Sequence, residues 1–345
     1  MTRVAGRVLK PHGGLHAFDQ STYTGRMRQA NWVFAFLLAA VVALAGCKSS
    51  GNSCGCGDDY VVNADIWGAP EGDLFIAGYR GMTTGFVKRF ENGTWTTIYE
   101  GGHSLTSLWG TSSEDFFVLD VAYPVVQHYS HGAWQSWYLG GSLDGGPGIR
   151  EAWALWGTAD DDLFVAGSDG VILHFDGISW QSMSTPTTAR LSGLWGSAHD
   201  NIIAVGQQGT ILHFDGTAWS IVPSPTTASL NAVWGASADN VFIVGEIELE
   251  ISHVILHFDG VTASIMHQGE KGLLGINGTG PDRVYAVGAK RNGDGVSGGV
   301  FRFDGIRWTE VSVGVSQFLW DVWVNPDGSY IAVGPDDTII NRSGK

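Results

Sequence analysis

One unit recurs seven times after residue 60 of this 345-residue chain, and that repetition limits the fold more than any other feature. With φ an apolar residue, the unit reads L-x-x-φ-W-G, a short polar turn, φ-φ-x-V-G and a loop. It continues with G-x-I-L-H-F-D-G and ends on a tryptophan. Residues 191–219 and 152–180 are the clearest copies. Aligned on the first tryptophan, the copies fall at Trp67, Trp109, Trp156, Trp195, Trp234, Asn277 and Trp323, spaced 42, 47, 39, 39, 43 and 46 residues apart.

Each copy predicts four short strands. In the fifth, residues 233–234 end the first strand and 236–240 supply turn residues. The runs 241–244 and 255–258 are rich in the apolar and β-branched residues that strands favour. Asp259-Gly260, with Asp176-Gly177, Asp215-Gly216 and Asp304-Gly305, predicts a two-residue type I′ hairpin, a turn that needs φ > 0. A fourth strand then carries Trp180, Trp219 or Trp308. No stretch after residue 47 holds a helical period. The expected fold is all-β, a seven-bladed β-propeller of about forty-residue four-stranded repeats, because closing such blades around an axis protects their edges. Fourteen of the 15 tryptophans lie in the repeats and read as packing between blades. The seventh copy ends as its third strand turns, so two closures are open. Residues 58–62 supply its fourth strand, or the last blade has three.

The W-G and G-x-I-L-H-F-D-G-x-x-W elements resemble the BNR-like and Kelch-like propeller repeats of bacterial envelope proteins, above all the repeat lipoproteins of myxobacteria. The resemblance covers nearly all of 60–345 and implies a fold more than a function. In one respect the repeat departs from the sialidase-type Asp-box, S-x-D-x-G-x-x-W. Here His174-Phe175-Asp176-Gly177-Ile178-Ser179-Trp180 has no residue between Asp and Gly, and no arginine triad carries over.

The amino-terminal segment predicts export. Residues 32–44 form an uncharged apolar run of thirteen, shorter than the roughly 20 a membrane-spanning helix needs, with Arg26 and Arg28 before it. It ends in Leu44-Ala45-Gly46-Cys47, which resembles the bacterial lipobox and implies cleavage before a lipidated Cys47. Residues 1–46 are therefore expected to be a signal peptide, with 1–26 a gene-model extension ahead of a start at Met27. Residues 47–57 read as the lipidated cysteine and a flexible tether, and 58–345 as the propeller. Lys48 and Ser49 after the cysteine favour the outer membrane by resemblance to the enteric sorting scheme. Cys54 and Cys56 match no zinc spacing.

Charge narrows the partners. The whole chain carries −15; without the five basic residues and one acid of 1–46 the balance is near −19. Such a surface repels phosphate backbones, so nucleic acid is excluded as the expected partner. A protein or glycan of the envelope is expected instead, with the chain monomeric and joined to the membrane by its lipid.

His128, His174, His213 and His257 share one repeat position, held by Arg89, Arg302 and Asn341 in the other copies. Each falls on a third strand of a different blade, about 10 Å outside the innermost one, too far apart for a shared metal. They read as hydrogen-bonding residues beside the Asp-Gly turn. Asp73, Asp115, Asp161, Asp162, Asp200, Asp239 and Asp282 recur in the first turn and read as turn caps, since none follows the spaced pattern of a calcium loop. No nucleophile elbow, zinc helix, P-loop or dinucleotide fingerprint occurs, so no cofactor, metal or catalytic residue is expected.

The loops carry the functional expectation. Turns between first and second strands stay short, while connections between second and third strands vary, with insertions at 246–253 and 289–298 and an enlarged link at 140–150. Both classes of connection emerge on one face of an up-and-down blade, where loops on a rigid scaffold carry function. The expected binding residues are Tyr79, Arg80, Glu246, Glu248, Glu250, Lys290, Arg291 and Asp294. Two readings follow: a non-catalytic scaffold for a protein partner, or a glycan-binding or glycan-cleaving propeller.

Overall fold

The computed structural model describes residues 60–81, 83–121, 123–140, 148–247, 252–270, 272–292 and 295–343. The chain divides into two units, Met1–Cys54 and Gly55–Lys345. The expected signal segment, Cys47 and the tether cysteines lie outside the described residues.

Seven antiparallel meanders make a seven-bladed propeller. Blade 1 holds β1 (Val61–Gly68), β2 (Leu74–Arg80), β3 (Thr84–Glu91) and β4 (Thr94–Glu100); blade 2 holds β5 (Leu105–Ser112), β6 (Asp115–Asp120), β7 (Val125–Ser130) and β8 (Ala133–Tyr138). Blade 3 holds β9 (Ala152–Ala159), β10 (Asp162–Gly167), β11 (Ile172–Phe175) and β12 (Trp180–Met183); blade 4 holds β13 (Leu191–Ala198), β14 (Asn201–Gly206), β15 (Ile211–Phe214) and β16 (Trp219–Ile221). Blade 5 holds β17 (Ser229–Ser237), β18 (Asn240–Ile247), β19 (Ser252–Phe258) and β20 (Ala263–Gly269). Blade 6 holds β21 (Gly272–Gly280), β22 (Arg283–Asn292), β23 (Gly295–Phe303) and β24 (Trp308–Val311), and blade 7 holds β25 (Asp321–Val324), β26 (Tyr330–Val333) and β27 (Ile339–Arg342). Each first strand packs on the next, and β25 packs on β1 to complete the circle. The apolar core lies in the seams: every one of the seven buried clusters draws its side chains from two adjacent blades.

The Trp-Gly pair of the repeat is one half of a contact between blades. A Cβ added to Gly196 would lie 2.4 Å from the Trp156 ring, one on Gly235 2.5 Å from Trp195, and one on Gly278 2.8 Å from Trp234. Trp323 of blade 7 covers Gly68 of blade 1 in the same way, at 2.4 Å. Each glycine is thus the flat seat for the preceding blade's indole, which no larger residue would leave room for. The exception explains itself. Asn277 replaces the tryptophan in blade 6, and the facing position in blade 7 is Val324 instead of glycine, its N–H donating to Asn277 Oδ1 at 3.0 Å.

The glycine that closes the φ-φ-x-V-G segment of the repeat is equally constrained. A Cβ on Gly78, Gly167, Gly206, Gly245, Gly288 or Gly334 would meet a carbonyl oxygen at or just before the start of the blade's own first strand at 1.9–2.4 Å. Only blade 2 breaks this rule, with Asp120.

One sequence expectation is corrected in the turns. Asp-Gly does not form a type I′ hairpin in blades 3 to 6. Asp176 Oδ1 instead accepts the N–H groups of Ile178 (3.0 Å) and Ser179 (2.8 Å), and Asp215, Asp259 and Asp304 repeat the arrangement. Among the turn residues only the glycines, such as Gly177 at φ 82°, are left-handed, so the loop is four residues capped by its own aspartate. True two-residue hairpins with both residues left-handed occur in blades 1 and 2, at Asn92-Gly93 (φ 51° and 82°) and His131-Gly132 (φ 49° and 88°). The repeated histidines hydrogen-bond beside that turn as expected, for a Cβ on Gly177 would meet Asp161 at 2.8 Å and one on Gly216 would meet Asp200 at 2.7 Å. His128 reaches Asp115 at 2.8 Å, His174 Asp162 at 2.7 Å, His213 Asn201 and His257 Asn240 each at 2.9 Å, across to the start of the second strand.

Closure takes the three-stranded form among the described residues. Val61 and Val62 belong to β1, not to blade 7, yet they still fasten the ring. Val62 bridges Pro335, Asp336 N–H donates to Val61 O at 2.8 Å, and Asn63 N–H donates to Gly334 O at 3.2 Å. Asp337, left-handed at φ 56° where blades 3 and 4 use Gly170 and Gly209, pairs with Lys88 at 2.6 Å and accepts from Asn63 at 3.1 Å. These contacts tie the β26–β27 hairpin of blade 7 to blade 1.

Candidate functional site

The meander topology gives the disc two faces. First-to-second and third-to-fourth strand turns share one, called here the turn face. Second-to-third hairpins and the links between blades share the other, the hairpin face.

The insertions are not loose loops on the hairpin face but longer ladders. In blade 5 the pairing continues through Glu246 with His253 and Ile247 with Ser252; in blade 6 it continues through Lys290 with Ser297 to Asn292 with Gly295. Glu246, Lys290 and Arg291 therefore lie on strands, and Glu248, Glu250 and Asp294 lie outside the described residues. The expected binding residues of blade 1 behave differently from the reading of an exposed aromatic beside a cation. Tyr79 is buried at 7 % exposure, opposite Val62 in the β1–β2 ladder, and burial pushes its phenol well above the ordinary range. Arg80 is exposed and faces Glu100 at 3.7 Å. Arg150 is likewise held by Asp169, at 2.5 Å.

A different group stands out on this face, in blade 2. Asp120 takes the place of the glycine that closes the φ-φ-x-V-G segment in the other copies and is 1 % exposed. Its carboxylate accepts the N–H groups of His103 at 2.7 Å, Ser104 at 3.3 Å and Tyr123 at 3.3 Å, so the link into blade 2 and the following hairpin are tied to one buried charge. Above it the rings of His103 and Tyr123 stack at 4.0 Å with their planes 22° apart. Tyr123 remains 55 % exposed, and His103 Nδ1 lies 3.6 Å from Asp120 Oδ2. Tyr99 borders the group; burial and the charge of Asp120 raise its phenol. The result is a flat aromatic platform whose two rings are positioned through their own backbone N–H groups. It is suited to stacking and hydrogen bonding with a ligand. The sequence signal for it is a departure from the repeat: one aspartate where six copies have glycine. Periodicity shows the substitution but not that the residues at 103 and 123 converge on it.

A second acidic feature marks the seam between blades 7 and 1. Asp321 of β25 accepts Ile66 N–H at 3.3 Å, and Asp65 of β1 accepts Leu108 N–H at 2.5 Å, while the two carboxyls hydrogen-bond each other. Desolvation raises both, and the charge of Asp65 raises Asp321 further, so the pair shares a proton. Both sit two residues before the aligned tryptophan position, a place that is Ser107, Ala154, Gly193, Ala232 and Gly275 elsewhere.

Solved structures share this architecture, while no family model and no curated protein matches the chain. A YCF48 bound to D1 peptide is similar at a TM-score of 0.58 and 14 % identity, over 82 % of this chain and 95 % of that one. A catalytically inactive virginiamycin B lyase from Staphylococcus aureus with quinupristin gives 0.66 and 12 % identity, over 82 % and 94 %. The WD40 β-propeller domain of Doa1 gives 0.63 and 13 %, over 84 % and 95 %. At these identities the likeness is one of fold.

Proposed function

We propose that this chain is a lipid-anchored β-propeller of the cell envelope that binds a protein partner through its hairpin face, without catalysis. The observation that carries the reading is the platform of His103 and Tyr123 built on buried Asp120. A charge buried under two half-exposed rings serves presentation of those rings more than the ring of blades, which the other copies close with glycine. The rigid ladders of blades 5 and 6 stand on the same face. The likeness to a propeller seen with a bound peptide is consistent with this use of the fold. Cys47 supplies the anchor, with the outer membrane as the expected site.

Affinity capture from envelope extract tests it, using the full chain, a Tyr123→Ala variant, and a variant with the 246–253 and 289–298 hairpins cut back to the length found in blade 3. A specific protein should be recovered by the full chain and lost from at least one variant. Losing a central aromatic contact should weaken binding by about 2 kcal/mol. Recovery unchanged in both variants would remove the hairpin face from the proposal. Cys47→Ser should release the chain from the membrane fraction.

A glycan is the second reading, favoured by the exposure of Tyr123 and of Tyr138, 57 % exposed at the end of β8. Polysaccharide that protects these tyrosines from modification, with no protein captured, would select it.

A further inference from the structure

On the turn face, at the seam of blades 3 and 4, three potential ligands converge. Asp162 opens β10, His174 faces it from β11, and His199 reaches over from the turn between β13 and β14 of the neighbouring blade. Asp162 Oδ1 lies 2.7 Å from His174 Nε2 and 2.9 Å from His199 Nδ1, and Oδ2 lies 2.9 Å from the same His199 nitrogen. One ligand atom from each residue falls within 4.8 Å of the other two. Phe164 stacks under His174 at 4.5 Å and fixes its plane, and Thr158 Oγ1 donates to Asp162 Oδ2. Burial opposes the charge on Asp162. The hydrogen bonds from Thr158, His174 and His199 outweigh that and hold the carboxyl below its usual range.

The repeat supplies the comparison. The Asp115–His128, Asn201–His213 and Asn240–His257 pairs are built alike, yet the next blade offers Asp160, Ala238 and Pro281 where this seam has His199. Repeated histidines on separate blades cannot share an ion, as their spacing indicated. This set escapes that limit because its third member comes from a neighbour's turn.

We propose that Asp162, His174 and His199 bind a divalent transition-metal ion of the zinc class, clasping blade 3 to blade 4. Two imidazole nitrogens with one carboxylate match the donor preference of zinc and cobalt, whereas calcium and magnesium take oxygen ligands. Bonds of about 2.0–2.2 Å set ligand atoms roughly 3.4 Å apart in a tetrahedral set, so the ion replaces the two Asp–His hydrogen bonds and those contacts open to admit it. His199, half-exposed on a turn, is free to make that adjustment, and its exposure leaves a coordination position open to water.

Cobalt titration of the full chain, followed by visible absorption, tests the site, with zinc added to displace the cobalt and calcium as a control ion. One cobalt per chain should bind, with zinc displacing it and calcium failing to. His199→Ala should weaken binding at least about tenfold, since loss even of a group behind a ligand costs that much. Asp162→Asn should do the same, while His131→Ala, a histidine on another blade's turn, should leave binding unchanged. His199 lies on an exposed turn, and an unchanged far-ultraviolet dichroism spectrum confirms that its variant folds. A chain that gives no saturable cobalt spectrum overturns the proposal. So does a His199→Ala variant that binds as well as the parent, or equal loss in His131→Ala.

Discussion

The two faces of the disc follow opposite rules. On the turn face the same devices return from blade to blade: an aspartate capping a four-residue loop in blades 3 to 6, and a histidine bonded to Asp or Asn in blades 2 to 5. On the hairpin face the blades are not all alike, from the tight turns of blades 3 and 4 to the long ladders of blades 5 and 6 and the carboxylate of blade 2. The first face is held by contacts between residues close in sequence, so every copy can repeat them. Distinctive chemistry arises where a copy abandons the repeat and a neighbour meets the change.

Substitutions can break or sharpen this contrast. The largest loss is expected from Gly206→Ala, whose Cβ would lie 2.0 Å from Arg190 O. It should lower stability by about 3 kcal/mol in urea unfolding. If that variant is as stable as the parent, the glycine rule fails and Asp120 ceases to be an exception. Next comes the reverse change. Asp120→Gly restores the repeat residue but strands three backbone N–H donors, and should cost about 1–3 kcal/mol. A gain in stability would show that the platform is merely tolerated.

Asp321→Asn should act with the opposite sign. Both carboxyls of the seam pair are raised in the folded state. The stability they contribute is therefore complete below the unfolded value of about 3.9 and is lost as pH rises through the raised folded value. The amide keeps the hydrogen bonds without the second charge, so thermal unfolding above neutral pH should shift up by about 1–2 kcal/mol. The gap should close below about pH 4. A gap independent of pH would mean that the pair shares no proton. Asp176→Ala should have the smallest effect. The N–H groups of Ser179 and Ile178 lower this exposed carboxyl, so its contribution exists above the unfolded value and fades as pH falls through the lowered one. Thermal melts of the parent and variant should therefore converge in acid, and divergence there would contradict the capped loop.

The repeat made the blade count, the strand order and the packing of tryptophans legible, because each is written several times over. Turn geometry was misread because Asp-Gly serves two loops, and only the positions of the N–H groups two and three residues on decide between them. Tyr79 looked available because it stands next to a hairpin. Its burial depends on β1 lying alongside, a long-range pairing that the local pattern does not carry. Asp120 and His199 were visible as departures. What they meet, Tyr123 in one case and Asp162 of another blade in the other, is set by the closing of the disc.

The exchange of Asn277 and Val324 for tryptophan and glycine gives the ring an address. Any of the middle blades offers its successor an indole and its predecessor a flat seat, so a duplicated middle blade spliced among them would find both ends welcome. Inserted between blades 6 and 7, the same blade would drive its indole into a valine and leave its own seat facing an asparagine. Expansion of the array is thus permitted in the middle and barred at one junction, and a lineage gaining blades would gain them away from that point.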